Sequence, residues 1–241
     1  PGGIVAIAKH LESFTKNISI LSVLGESSKD LSFVHKNLNK NTKFDFIKKK
    51  NSPTIIKKRY IDQLTNHKLI GVYSINDRDL NKKEENQLRK KIIRKIKKNT
   101  LLIISDYGHG FISKKLAKQI CSKSKNIFLN TQLNAANIGY HTLRNYNNFN
   151  SLIINESELR HEFKDRYSNV KKLLLKLSQL INVKHILVTR GANGAICYNT
   201  KSGKFYEAPA FATKIIDKVG AGDTLLALFS ICVFSKIDVE M

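Results

Sequence analysis

The sequence is short of acidic residues and of cysteine, and it has no long apolar run. Asp and Glu number 19 against 42 Lys and Arg, for a formal net charge of +23. Such a balance raises nucleic acid or an anionic membrane as partner. The lysines, however, do not gather in one tail. They punctuate helices (KKEENQLRKKIIRKIKK) and loops (FIKKKN), and Lys, Asn and Ile recur along the whole chain. A solvated basic face is therefore the expectation, with no nucleic-acid partner. The positive field favours phosphorylated, anionic substrates. Cys121, Cys197 and Cys232 are scattered, with no CxxC or Cys/His spacing. Neither a disulfide framework nor a zinc site is supported, and a reducing cytoplasm is expected. No apolar run reaches 18 residues and no secretory pattern opens the chain, so no membrane helix is expected. Gly-x-x-x-x-Gly-Lys-Ser/Thr is missing, as is an early Gly-x-Gly-x-x-Gly, which argues against a P-loop kinase and a dinucleotide fold.

What is present alternates in period. Helical spacing covers 3–14, 28–38, 82–98, 113–124, a short stretch near 134–143, 157–164 and 168–181. Strand patterns cover 18–24, 43–49, 54–62, 67–76, the run LLIISD, 126–131, 151–155, 185–190, 194–199, 204–208 and 212–217. The chain of 241 residues reads as one α/β domain over 1–241, with a mainly parallel sheet covered on both faces. The β-rich stretch 43–76 reads as a lid or a small second sheet. Ligands of such sheets bind at the carboxyl ends of the strands, so the loops after strands carry the functional information.

The strongest of these is Asp217-Lys218-Val219-Gly220-Ala221-Gly222-Asp223-Thr224, entered by a strand and left by an apolar helix. Amides at a helix N-terminus can hold charge on a transferring phosphoryl group. A carboxylate at Asp223 can take a proton from an attacking hydroxyl. The bland alternative is a helix cap. Earlier, Asn155 and Glu158 sit in NESE, and Thr189, Gly191 and Gly194 sit in LVTRGANGA. Their bland readings are an acidic helix start and a hairpin turn. Asp106 precedes Gly108 in SDYGHG, where a turn Asp is the alternative to a cleft-facing one. Lys57, Lys58 and Arg59 form a cationic cluster on a strand, which is often mere edge protection.

DKVGAGDT resembles the DTxGAGD signature of the ribokinase (PfkB) family of sugar kinases, with Lys218 in place of the usual Thr. The resemblance implies a ribokinase-like three-layer sandwich with a small β lid. It implies Asp223 as base and Gly220, Ala221 and Gly222 as the anion hole. ATP would be contacted by Thr189, Gly191, Gly194, Asn155, Glu158 and Asp217. Mg²⁺ would be assisted by Glu158 through water. The opening Gly2-Gly3 resembles the family's sugar-contacting pair, although Ile4, Val5 and Ala6 stand where an Asn is usual. SDYGHG, NTQLNAANIGYH and IIKKRYID resemble elements of the heptose 7-phosphate kinase branch, with His109 where Lys is usual. They imply a sugar phosphate bound by Gly2, Gly3, Lys57, Arg59, Asp106, Asn130 and Gln132. The best acceptor on this reading is D-glycero-β-D-manno-heptose 7-phosphate, and a homodimer through the lid follows by analogy.

Family members also carry a strand before the Gly-Gly element and helices after the GAGD helix. The chain is accordingly expected to be a fragment at both ends. Two alternatives stay open: a kinase for another sugar or a nucleoside, and a catalytically weak kinase-like protein that binds through its basic surface.

Overall fold

In a computed structural model, residues 2–27, 29–64, 67–134, 137–138, 140, 142–211 and 220–240 are described. Six strands form the central sheet: β5 (Leu102–Asp106), β6 (Ile127–Thr131), β7 (Phe149–Asn155), β8 (Val183–Thr189), β9 (Ala195–Asn199) and β10 (Lys204–Ala208). Their spatial order is β10-β9-β8-β7-β6-β5. β5 to β8 run parallel, and β9 and β10 are antiparallel additions at one edge. All five residues of β6 are buried, as an apolar strand covered on both faces requires.

Alternation along the strands divides the core in two. Phe128, Ile153, Leu187 and Cys197 face α1 (Ile4–Leu11) and α7 (Ala221–Phe234), meeting Ile7, Leu11, Leu226 and Ala227. Leu129, Leu152, Ile154, Ile186 and Val188 face the opposite layer. That layer holds α3 (Lys82–Lys95), α4 (Lys114–Lys123), α5 (Glu156–Phe163) and α6 (Val170–Leu180). In α6 the buried residues are Val170, Leu173, Leu174 and Leu177, a stripe at i, i+3, i+4 and i+7. α3 begins on a capping box, in which Asn81 accepts from Lys83 and Glu84 amides while Glu84 returns to the Asn81 amide.

The stretch 43–76 divides. β2 (Lys43–Lys48) pairs in parallel with β1 (Ser19–Leu24), and α2 (Lys29–Lys36) connects them. β3 (Ile56–Ile61) and β4 (Lys68–Ser74) form a separate antiparallel ribbon, most of whose side chains are exposed. Two sequence readings shift. Near 134–143 the described residues hold no α-helix, only a 3-10 turn at Leu143–Asn145, because Asn134 and Asn137 spend their side chains on backbone groups of the loop. The strand read at 212–217, with Asp217, lies outside the described residues.

Candidate active site

α7 starts at Gly220, whose φ is 88°, and its first intrahelical bond runs from the Thr224 amide to the Gly220 carbonyl. The amides of Ala221, Gly222 and Asp223 therefore precede the helical ladder. Gly220 and Gly222 leave their own Cα positions open: a Cβ added at either would meet nothing within 4 Å. Asp223 stands in the first turn, half-buried. Its Oδ1 accepts from Tyr107 Oη at 3.2 Å. Burial pushes the Asp223 carboxyl up from its ordinary pKa, while the Tyr107 hydrogen bond and nearby His10 pull it back part of the way. Thr224 Oγ1 is within 2.8 Å of His10 Nε2, which ties α7 to α1.

Tyr107 lies in the turn after β5, and burial and then Asp223 raise its pKa far above the ordinary phenol range. Gly3, with φ of 53°, packs against it: a Cβ there would lie 2.8 Å from Tyr107 Oη. Lys57 Nζ sits 5.8 Å from the Tyr107 ring centroid and equally far from that of Tyr73. Burial lowers the Lys57 pKa. Gly3, Lys57, Tyr107 and Asp223 thus come together from four separate places in the sequence. Arg59 is exposed on the ribbon, and Gly2 is exposed ahead of α1.

Asp106, at the end of β5, is buried, with both oxygens engaged. Oδ1 accepts from the Gly108 amide at 2.9 Å and Oδ2 from Tyr146 Oη at 2.7 Å. This is the geometry of a turn aspartate anchored in the core. Asn130, on the next strand, donates to the Ile153 carbonyl at 2.8 Å, and its Oδ1 is buried without a partner. Gln132 enters through its backbone: its amide donates to the Asp106 carbonyl at 2.9 Å.

At the end of β7, Asn155 and Glu158 form a capping box for α5. Glu158 is buried; its Oε2 accepts from the Asn155 amide at 2.8 Å and its Oε1 from the Leu133 amide at 3.1 Å. That carboxylate is committed to backbone donors. Among the described residues no group of three or more His, Cys, Asp or Glu could hold a metal. The residues here suit a cation that arrives with phosphate ligands of its own better than one held in a protein cage. Thr189 ends β8 directly opposite Asn155. Gly191 and Gly194 make the hairpin turn into β9, closed by the Arg190 amide on the Gly194 carbonyl at 2.7 Å. Gly194 admits no side chain, since a Cβ would lie 1.9 Å from the Ala208 carbonyl oxygen.

Three side chains here were missed by sequence reasoning or given no role. Tyr107 stands inside the SDYGHG segment, and that position was the available signal. His10 lies two helical turns past the Gly-Gly element and gave none. His109 is buried with both ring nitrogens unpartnered; burial and then Lys57 hold its pKa below the ordinary range. It lines a narrow cleft with Lys49, Ser52, Thr54 and Asn76.

The chain matches the family model described as pfkB family carbohydrate kinase over residues 4–240. It is similar to the "Bifunctional protein HldE" of Campylobacter jejuni (strain RM1221), at 23% identity over 242 residues, covering 99% of this chain and 49% of that protein. The chain thus spans about half the length of the curated relatives it matches. Among solved structures it is similar to phosphofructokinase-2 from Escherichia coli, with TM-score 0.76 and 14% identity, covering 98% of this chain and 75% of that one. Ribokinase from Giardia lamblia matches with TM-score 0.68 and 16% identity, over 96% and 72% of the two chains. The fold is ribokinase-like α/β. No helix among the described residues is long and apolar enough to cross a membrane.

Proposed function

The chain belongs to the pfkB family of carbohydrate kinases, and on that premise we propose that it transfers the γ-phosphoryl group of ATP to a sugar hydroxyl, with Asp223 as base. One observation carries the reading: a half-buried carboxylate beside unladdered amides at the start of α7, where the Cα positions of Gly220 and Gly222 are open to a ligand. Asp223 takes the proton of the attacking hydroxyl. A bond forms between that oxygen and the γ-phosphorus, and the bond to the β–γ bridging oxygen breaks, leaving its electron pair on ADP. The amides of Gly220, Ala221 and Gly222 face the charge on the transferring group. Mg²⁺ enters with ATP as part of the substrate and neutralises phosphate charge. Thr189, Gly191, Gly194 and Asn155 line the nucleotide side; the family resemblance adds Asp217, which lies outside the described residues. Glu158, whose two oxygens each take a backbone amide, would reach such a cation through water.

The acceptor side is formed by Gly2, Gly3, Lys57, Arg59, Asn130 and Gln132, with Asp106 shaping the turn beneath it. The β3–β4 ribbon serves as lid, and a second copy docks through it. Cations at Lys57 and Arg59 suit an anionic sugar, and the motifs SDYGHG and NTQLN point to heptose 7-phosphate. Another phosphorylated sugar is the second reading, favoured by His109 in place of the usual Lys and by Ile4-Val5-Ala6 after the glycine pair. ADP release from Mg·ATP tests both, with heptose 7-phosphate, fructose 6-phosphate, ribose and adenosine supplied in turn. Turnover with heptose 7-phosphate, lost in Asp223→Asn, is the expected result. Turnover confined to adenosine would overturn the sugar-phosphate reading, and turnover with none would overturn the kinase reading for this chain.

A further inference from the structure

We propose that Tyr107 is a positioning residue for Asp223, holding one carboxylate oxygen so that the other meets the acceptor hydroxyl, and linking the base to Lys57 of the ribbon. The inference rests on the reading of Asp223 as base and concerns what aims that base.

Tyr107 is fixed from its backbone outward. Its carbonyl accepts from Asn134 Nδ2 at 2.9 Å and from Asn137 Nδ2 at 3.1 Å, and Asn137 is itself buried. The next residue, Gly108, donates to Asp106, which Tyr146 anchors in the core. A turn held at both carbonyl and amide leaves its side chain little freedom except at the ring. The ring is confined in turn. Gly3 closes one side at a distance that no Cβ could keep, and Lys57 lies over the ring. A glycine at position 3 thus has a reason apart from any contact with sugar: it leaves room for the phenol.

The chemistry of the pair has one direction. Burial and then Asp223 favour the protonated phenol, and toward an ionised carboxylate, which has no proton to give, that phenol donates. A donor on Oδ1 favours the ionised carboxylate and opposes the burial that disfavours it. With Oδ1 occupied, Oδ2 is the oxygen left for the substrate proton. The charged and titratable groups facing Asp223 among the described residues are Tyr107, from the turn after β5, and His10, from α1; Lys57 lies beyond the phenol, 5.8 Å from the Tyr107 ring centroid. Tyr107 therefore stands between Lys57 of the ribbon and the base.

The test is a titration of the Asp223 carboxyl by carbon NMR in the full chain, its resonance identified by loss in Asp223→Asn. Tyr107→Phe is expected to titrate at higher pH than the wild type, because the donor is gone and the burial remains. Gly3→Ala, which displaces the phenol and leaves it in the sequence, is expected to shift the midpoint the same way. It also keeps the test alive if Tyr107→Phe does not fold. An unshifted midpoint in a folded variant overturns the proposal, whether or not the chain proves to be a kinase. With a turned-over sugar in hand, Tyr107→Phe should lower kcat on the order of tenfold at pH 6 and by less at pH 8. An equal loss at both pH values would mean that the phenol only packs.

Discussion

Two carboxylates at the active end of the sheet each receive a tyrosine, and they end in opposite states. Tyr146 donates to Asp106 and the Gly108 amide takes the other oxygen, with both side chains buried. Tyr107 donates to Asp223, and the amides beside Asp223 precede the helical ladder. The first carboxylate has its hydrogen-bonding capacity met by the fold, so its energy goes into holding a turn. The second is left with an oxygen to spend on a ligand. Both aspartates lie within two residues of a glycine, so residue type and a nearby glycine do not separate a structural from a reactive carboxylate; the count of committed oxygens does.

The sharpest break of that comparison is to neutralise the reactive member. Asp223→Asn keeps an acceptor for Tyr107 and should fold, with near-UV circular dichroism unchanged. Its kcat should fall by about 10² to 10⁴, the usual range for a general base. Turnover within threefold of wild type would remove Asp223 from the role. The structural member should answer in the other currency. Asp106→Ala strands the Tyr146 hydroxyl and the Gly108 amide, and should lower unfolding free energy by about 1–3 kcal/mol. Urea denaturation with an unchanged m-value reads this directly. A midpoint equal to wild type would show that water or a shifted turn satisfies both groups.

The sequence made the helices and strands of the sheet legible because their signals are local. The stripe Val170, Leu173, Leu174 and Leu177 announces α6, and Asn81 with Glu84 announces the start of α3. The GAGD turn at the head of α7 was equally readable. The stretch 43–76 was harder, because strand propensity does not say which strand is the partner. β2 crosses to β1 through a parallel pairing, and only β3 and β4 make the ribbon. In the site, glycine patterns located the turns, whereas the tyrosines stayed hidden. Tyr107 reaches a residue 116 positions away, and no periodicity encodes a contact of that separation. Glu158 shows the opposite limit: its spacing from Asn155 suited both a capping box and a nucleotide element, and the capping box is formed.

The smallest expected effect sharpens the contrast most, because it asks what an unfilled carboxylate costs the fold. Burial raises the pKa of Asp223 in the folded protein. Between the ordinary carboxylate pKa and that raised value, the folded chain holds a proton that the unfolded chain has released. Stability from this group is therefore present at lower pH and is lost as pH rises through the window. Asp223→Asn cannot ionise and escapes the loss. Its Tm should match wild type near pH 4 and exceed it at pH 8, by roughly 1–2 °C for a chain of this size. A variant that unfolds lower than wild type at pH 8 would mean that the ionised carboxylate is stabilised where it stands. Asp223 would then belong with the structural carboxylates.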